Sequence, residues 1–178
     1  MQLTQKESGL LKDLKGQEKL CAEKYTQYSS RAADPQLKNL FTQIAQIEQQ
    51  HLETLTQIET GTPPAPSGGS QAQPSFTAAY TGETPEKQVD CYLCSDVLAT
   101  EKHASSLYDT CIFEFQDEAV RNTLYHIQKE EQGHGKMIFD YMSVNGMYEA
   151  QPGGSAQGWN LPKSQPTSTP ARFVKGWE

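Results

Sequence analysis

The sequence predicts an all-α protein, a four-helix bundle in which two pseudo-symmetric helical hairpins are joined by a long crossover. Four segments have apolar residues at helical spacing, the second half of the chain repeats the first, and a stretch between them is rich in Pro, Gly, Ser, Thr and Gln. We expect residues 1–60 to form the first hairpin, 61–85 the crossover linker, 86–148 the second hairpin and 149–178 a disordered tail. The two hairpins are expected to form one domain.

The boundaries of the helices are predicted from capping and helix-stopping residues. Asp34 suits the N-cap position and Pro35 suits the first helical position, so the second helix should begin there. It should stop at Gly61, because two prolines follow closely. The expected helices span about residues 4–32, 35–60, 86–115 and 118–145.

The two halves of the chain match when the sequence is shifted by 83 positions. The matched span needs no gap, and both helices of each hairpin take part. The matched pairs include Glu18 with Glu101, Tyr25 with Tyr108, Glu48 with Glu131, and His51 with His134. Two hairpins of one design, brought together, give a pseudo-symmetric bundle.

The repeat places carboxylates and imidazoles in register. Glu48 and His51 are three residues apart, so both project from one face of a helix, as their counterparts do. A lone Glu on each of two helices and a Glu-x-x-His on each of the other two make a ligand set for two transition-metal ions, iron or manganese. The alternative is a bundle whose site is vestigial and is held by hydrogen bonds. The expected metal ligands are Glu18, Glu48, His51, Glu101, Glu131 and His134.

Three other residues lie close to these ligands in the sequence. Tyr25 and Tyr108 follow Glu18 and Glu101 by two helical turns. Each tyrosine is expected either to donate a hydrogen bond to a ligand carboxylate or to be an ordinary core residue. Cys21 lies one turn after Glu18, near the expected ions, but the repeat has no second copy of it.

The remaining histidines and a pair of cysteines are interpreted separately. His103 and His126 have no histidine at the repeat-equivalent position, so we expect neither to be a ligand. Cys91 and Cys94 form a lone Cys-x-x-Cys, and a zinc or rubredoxin-type site needs a second such pair. They are either two unrelated thiols or a pair with a redox or crosslinking role.

The chain is acidic, with a net charge of −7 and a pI of about 5.1. It has no basic stripe, so we expect neither nucleic acid nor an anionic membrane as a partner. We also expect no signal peptide, no membrane-spanning helix and reduced thiols inside a cell. Residues 172–177 combine two aromatic side chains with basic ones and are either a docking segment or a frayed terminus.

At the ligand residues the chain resembles the ferritin-like superfamily. The spacing of Glu18 to Tyr25 and of Glu48 to His51, with its second copy, is similar to the rubrerythrin branch. The wider sequence resembles more closely the spore coat protein F (Coat F) family of endospore-forming Firmicutes. The resemblance implies a ferritin-like bundle whose six ligand residues bind metal. The segments that carry it are 34–41, 101–103, 126–135 and 141–148.

The chain departs from the rubrerythrin pattern at two points. Ala104 stands where rubrerythrins carry a further carboxylate. The two Cys-x-x-Cys pairs of a rubredoxin module are also lacking in this sequence. Both departures weaken the implication of a rubrerythrin-type peroxidase.

Three functions are considered for such a bundle. The resemblance to the Coat F family implies a spore-coat protein, made in the mother-cell cytoplasm and then incorporated into the coat. Its partners would be other coat proteins or further copies of itself. The alternative is a di-iron oxidase or peroxidase that acts on oxygen or peroxide. Iron storage in a cage is the third, but the sequence does not reveal the assembly faces that a cage needs.

Overall fold

The computed structural model describes residues 2–62 and 73–148, and over these ranges the protein is an all-α four-helix bundle, as the sequence predicts. The expected tail, residues 149–178, and the middle of the expected linker lie outside the described residues. No helix within the described ranges has an apolar stretch long enough to cross a membrane. The helices are α1 (Gln5–Arg31), α2 (Pro35–Glu59), α3 (Pro85–Ile112) and α4 (Glu118–Val144).

Side-chain caps begin the helices. At α1 the hydroxyl of Thr4 accepts a hydrogen bond from the backbone N–H of Glu7 at 3.2 Å. The carboxylate of Glu7 accepts one from the backbone N–H of Thr4 at 2.7 Å, which completes a capping box. Asp34 and Asp117, which the repeat relates, cap α2 and α4 with their carboxylates. Local sequence therefore sets these starting points.

Helix α3 is shifted slightly from its predicted range. It begins at Pro85 rather than the next residue, because Thr84 caps it by accepting a hydrogen bond from the backbone N–H of Lys87 at 3.1 Å. At its other end the helix stops before Phe113, three residues short of the predicted end. Phe115 is buried, but it packs into the core from the turn that follows the helix. Its apolar side chain made the helix seem longer in the sequence.

The order of the helices makes the crossover long. Short turns join α1 to α2 and α3 to α4, so each pair is an antiparallel hairpin. Tyr25, near the end of α1, bonds to Glu101 in the middle of α3. Tyr108, near the end of α3, bonds to Glu18 in the middle of α1, so these two helices are also antiparallel. Helices α2 and α3 therefore run in the same direction, and the chain between them must travel back along the bundle, roughly 37 Å.

The last part of the crossover, residues 73–84, reaches the end of the bundle at which α2 begins. The backbone N–H of Thr77 donates a hydrogen bond to Oε1 of Gln36, near the start of α2, at 3.0 Å. The ring of Phe76 packs edge-on against Tyr141, with 5.5 Å between ring centroids. These contacts attach the crossover at the end of the bundle where α2 begins, which is the opposite end from the one where α2 stops.

Two apolar clusters fill the bundle, one toward each end. On every helix, the expected metal ligand or ligands lie in sequence between members of the two clusters. The expected ligands therefore form a layer across the middle of the bundle. The Phe41 cluster includes Tyr25, Leu37, Phe41, Ile44, Leu93, Val97, Ile138 and Tyr141. The Leu55 cluster includes Leu11, Leu14, Leu55, Ile58, Tyr108, Phe115, Val120 and Leu124.

Two buried carboxylates, which we call the hairpin clamps, tie each hairpin to the turn of the other. Glu7, in the first turn of α1, accepts a hydrogen bond from the backbone N–H of Gln116, between α3 and α4, at 2.9 Å. Asp90, its repeat equivalent in α3, accepts hydrogen bonds from the backbone N–H groups of Ala33 and Asp34, at 2.8 and 3.0 Å. The clamps satisfy backbone donors in the turns and hold the hairpins together.

We expect Glu7→Gln to lower the free energy of unfolding by about 1–3 kcal/mol at pH 7, since an amide cannot accept all of these hydrogen bonds. The side-chain bond from Thr4, with backbone bonds from Gln116 and Thr4, lowers the pKa of Glu7 below its ordinary 4.5. A lowered pKa stabilises the folded state above the ordinary value, and the effect is lost as the pH falls through the folded-state pKa. The difference between wild type and variant should therefore shrink below pH 4.5 in urea unfolding.

The matched control is Glu23→Gln, on the same helix. Glu23 is exposed and lies 3.9 Å from Lys19, so the change should alter stability by no more than about 0.5 kcal/mol. The clamp role of Glu7 would be contradicted if both variants lost the same stability, or if the loss for Glu7→Gln did not depend on pH.

Candidate metal centre

All six residues expected as metal ligands lie together in the layer between the two apolar clusters. None has more than 3% of its surface exposed. Each helix brings its expected ligands by its own periodicity: α1 and α3 bring one carboxylate each, and α2 and α4 bring a Glu-x-x-His pair each. The layer consists of Glu18, Glu48, His51, Glu101, Glu131 and His134.

The six side chains form two overlapping groups. The His51 half-site contains Glu18 and His51, the His134 half-site contains Glu101 and His134, and both include Glu48 and Glu131. Within each group the four ligand atoms lie within 4.8 Å of one another. The shift of 83 positions exchanges the two groups, so the repeat in the sequence is a pseudo-two-fold relation in space.

The imidazoles turn their Nδ1 atoms toward the carboxylates. Nδ1 of His51 lies 3.0 Å from Oε1 of Glu131 and 3.4 Å from Oε2 of Glu18. Nδ1 of His134 lies 2.9 Å from Oε1 of Glu48. The two rings are stacked, with 5.9 Å between centroids and 23° between planes. Among the carboxylates of the layer, each Nδ1 atom is thus closest to the shared glutamate that the other hairpin contributes.

Short distances do not make these contacts hydrogen bonds. Among the described residues, both Nδ1 atoms, both oxygens of Glu48 and of Glu131, and Oε2 of each remaining ligand glutamate are buried without a hydrogen-bond partner. The atoms approach one another without the donor–acceptor alignment that a hydrogen bond needs. Unpaired buried polar groups are costly, and carboxylates with imidazoles suit transition-metal ions. These groups could therefore hold metal.

Two buried tyrosines donate hydrogen bonds to glutamates of the layer. The hydroxyl of Tyr25 donates to Oε1 of Glu101, and that of Tyr108 donates to Oε1 of Glu18. Each bond crosses from one hairpin to the other. Burial, together with the charge of the accepting glutamate, raises the pKa of both tyrosines, so they remain protonated donors. Both rings also belong to the apolar clusters, so each tyrosine makes both kinds of expected contact.

The electrostatics of the layer favour a cation. Burial raises the pKa of Glu18 and of Glu131 to about 8, and raises that of Glu101 well above its ordinary value. Burial acts in the same direction on Glu48, but the close approach of the His134 and His51 imidazoles outweighs it and lowers the pKa of Glu48. A layer of this kind takes up protons when no cation is bound, so metal binding would release protons and depend on pH.

Glu130 is a part of the site that sequence analysis missed. Its Oε2 lies 3.0 Å from Nε2 of His51, the ring nitrogen that faces away from the layer. Its Oε1 lies 3.5 Å from Nε2 of His126, which is not a member of either group. The repeat equivalent of Glu130 is Ile47, so Glu130 is not among the residues that the two halves share. The sequence indicates Glu130 only through this difference, an acidic residue beside an expected ligand in one half of the chain.

The cysteines are all free thiols. Cys21 is buried, and burial followed by the charge of Glu48 raises its pKa, so it remains a neutral thiol. Its sulfur accepts a hydrogen bond from the side chain of Gln17 at 3.3 Å. Cys94 is buried and Cys91 is half-buried, and both alternatives given for this pair stay open.

The second hairpin is similar to a known protein family. A family model described as the Coat F domain matches residues 90–151. The match covers about a third of the chain, including α4 and most of α3, and supports the resemblance to the Coat F family. No curated protein matches the chain, and no solved structure matches it. The likeness to the ferritin-like superfamily and to rubrerythrins therefore stays a prediction.

Proposed function

We propose that this chain is a spore-coat-like protein whose bundle holds two transition-metal ions, iron or manganese, in its core. The observation that carries the metal part is the set of buried carboxylate and imidazole atoms that lack hydrogen-bond partners among the described residues. Four ionised carboxylates carry four negative charges, which two divalent cations would neutralise. Mixed carboxylate and imidazole ligands favour iron or manganese over magnesium or calcium.

Each ion would have its own pair of ligands. Glu18 and His51 would bind one ion and Glu101 and His134 the other, while Glu48 and Glu131 would be shared between them. Sharing follows from the overlap of the two groups. When bound, the ions would supply Lewis acidity and one-electron redox chemistry.

The protein's own residues would orient these ligands. Tyr25 and Tyr108 each hold one oxygen of a glutamate, so that the other oxygen is left for the centre. Glu130 binds the outer nitrogen of His51 and so directs its Nδ1 to the layer. The apolar clusters on either side would limit the access of water.

The coat part of the proposal is supported by the match to the Coat F domain. The partners would be other coat proteins or further copies of this chain. Segments rich in Pro, Gly, Ser, Thr and Gln, which include residues 149–178, suit incorporation into an assembly.

We expect metal-free protein loaded anaerobically with Fe²⁺ or Mn²⁺ to retain two ions per chain by elemental analysis. Glu48→Ala removes a ligand shared by both half-sites and should lose most of both ions. Glu18→Ala affects one half-site and should retain about one ion. Loading should also raise the free energy of unfolding, by about 2.7 kcal/mol when free metal is 100 times its Kd.

The matched control for metal content is Glu53→Ala, since Glu53 is an exposed glutamate on the same helix as Glu48. It should bind as much metal as the wild type, and circular dichroism should show all variants folded. A wild-type content well below one ion per chain after reconstitution would sink the proposal, as would equal contents for Glu48→Ala and Glu53→Ala.

We expect spore fractionation of an endospore-forming host that carries this chain to recover it in the coat extract. Immunoblotting of mother-cell, coat and core fractions over sporulation would follow its path. Glu48→Ala should reach the same fraction if assembly depends on the outer surface of the bundle rather than on bound metal. Recovery from the cytosol of vegetative cells alone would contradict the coat assignment.

A di-iron oxidase or peroxidase is the second candidate, favoured by the two shared glutamates. Because Glu48 and Glu131 belong to both groups, these residues would hold both ions in one buried site, where the ions would supply Lewis acidity and one-electron redox chemistry toward oxygen or peroxide. Metal-loaded wild type should then consume peroxide at least ten times faster than Glu48→Ala, measured with an oxygen electrode and a peroxide dye. Equal rates would exclude catalysis at this centre and leave the structural function.

A further inference from the structure

A groove on the outer side of the second hairpin leads to the candidate metal centre. It lies between α3 and α4 and has a volume of about 550 Å³. Two of its lining residues, Glu101 and Glu131, belong to the centre. Both are almost fully buried and carry oxygens that have no hydrogen-bond partner in the described part of the chain. The groove therefore extends from the surface of the bundle to the side chains of two expected ligand residues.

The first hairpin has an equivalent groove that does not reach the centre. It has a volume of about 740 Å³, and Ala22, Thr26 and Gln49 in its lining are the repeat equivalents of Ser105, Asp109 and Gln132 in the other groove. None of the six expected metal ligands lines it. The two faces of a nearly symmetric centre thus differ in access.

One position at which the two hairpins differ lies beside the expected ligands. Gly135 lines the groove of the second hairpin, and its repeat equivalent in the first hairpin is Leu52. A methyl group built on Gly135 would lie 3.7 Å from Cβ of Glu101 and 3.7 Å from Cδ1 of Leu98. These are ordinary contacts, so helix packing does not demand glycine, although glycine weakens a helix by about 1 kcal/mol relative to alanine. A longer side chain at this position would extend over Glu101.

Polar side chains stand among the residues that line this groove. Asp109 is exposed at the mouth, and Gln128 donates a hydrogen bond from Nε2 to the backbone carbonyl of Ser105 at 3.0 Å. Gln132 donates one to Oγ of Ser105 at 3.2 Å. Carboxylate, carbonyl and hydroxyl oxygens can replace the waters around a divalent cation as it moves inward. The glutamates at the inner end supply negative charge to attract it.

We infer that the groove between α3 and α4 is the port through which hydrated divalent cations reach the centre, and that the face of the first hairpin is closed to them. The inference rests on the proposed metal-binding function. It adds the side from which the cations enter. It attributes entry on that side to the absence of a side chain at Gly135.

The test compares the rate of metal loading with the amount bound. Metal-free wild type, Gly135→Leu and Gly133→Leu are mixed with Co²⁺, and the visible absorption of the bound ion is followed by stopped flow. Gly133 is the matched control, because it lies on the same helix and a methyl group there would meet no atom within 4 Å. Gly135→Leu should load at least ten times more slowly with the same final two ions per chain, and Gly133→Leu should load like the wild type.

A second variant tests the same port without adding volume. Asp109→Asn should slow loading several-fold at low salt, with a smaller effect at high salt, and should leave the final content unchanged. If Gly135→Leu is not folded by circular dichroism, this variant decides. Wild-type loading rates in the folded variants would overturn the port while the metal-binding function stands. A wild type that binds no Co²⁺, Fe²⁺ or Mn²⁺ would overturn both.

Discussion

The bundle is organised around a buried layer of four carboxylates and two imidazoles. These groups are costly in an apolar core unless their charge is compensated, and the surrounding residues supply only part of that compensation. The apolar residues are divided into a cluster on each side of the layer, and two buried tyrosines donate to its outer glutamates. The hairpin clamps, Glu7 and Asp90, add further bonds between the hairpins away from the layer. A charged interior of this kind is best explained by a function that needs it.

The two halves of the layer have the same expected ligands but different surroundings. His51 has Glu130 on its outer nitrogen, whereas the repeat offers only Ile47 at the equivalent position beside His134. The groove at Gly135 is lined by two of these glutamates, whereas the equivalent groove on the first hairpin is lined by none of the six residues. Such differences would make the two expected half-sites inequivalent in basicity and access.

The sequence was informative where structure depends on local residues or on the repeat. Asp34 and Pro35 placed the start of α2, and the shift of 83 positions brought the six expected ligands into one layer. The features that the sequence did not reveal are those in which the two halves of the chain differ. Glu130 breaks the repeat, and the clamp at Asp90 matches a glutamate and not an aspartate. The bonding of a clamp to a turn in the other hairpin depends on how the hairpins pack, which no local pattern records.

The hydrogen bonds that cross between hairpins bear on the origin of the fold. Tyr25 and Tyr108 each donate to an expected ligand of the opposite hairpin. One hairpin alone therefore contains three of the expected ligands but neither of these hydrogen bonds. Two identical copies of an ancestral hairpin, paired about a two-fold axis, would have assembled the same layer as a homodimer. Fusion of the copies through the crossover would make their association independent of protein concentration. It would also free each copy to change alone, as Gly135 and Glu130 illustrate.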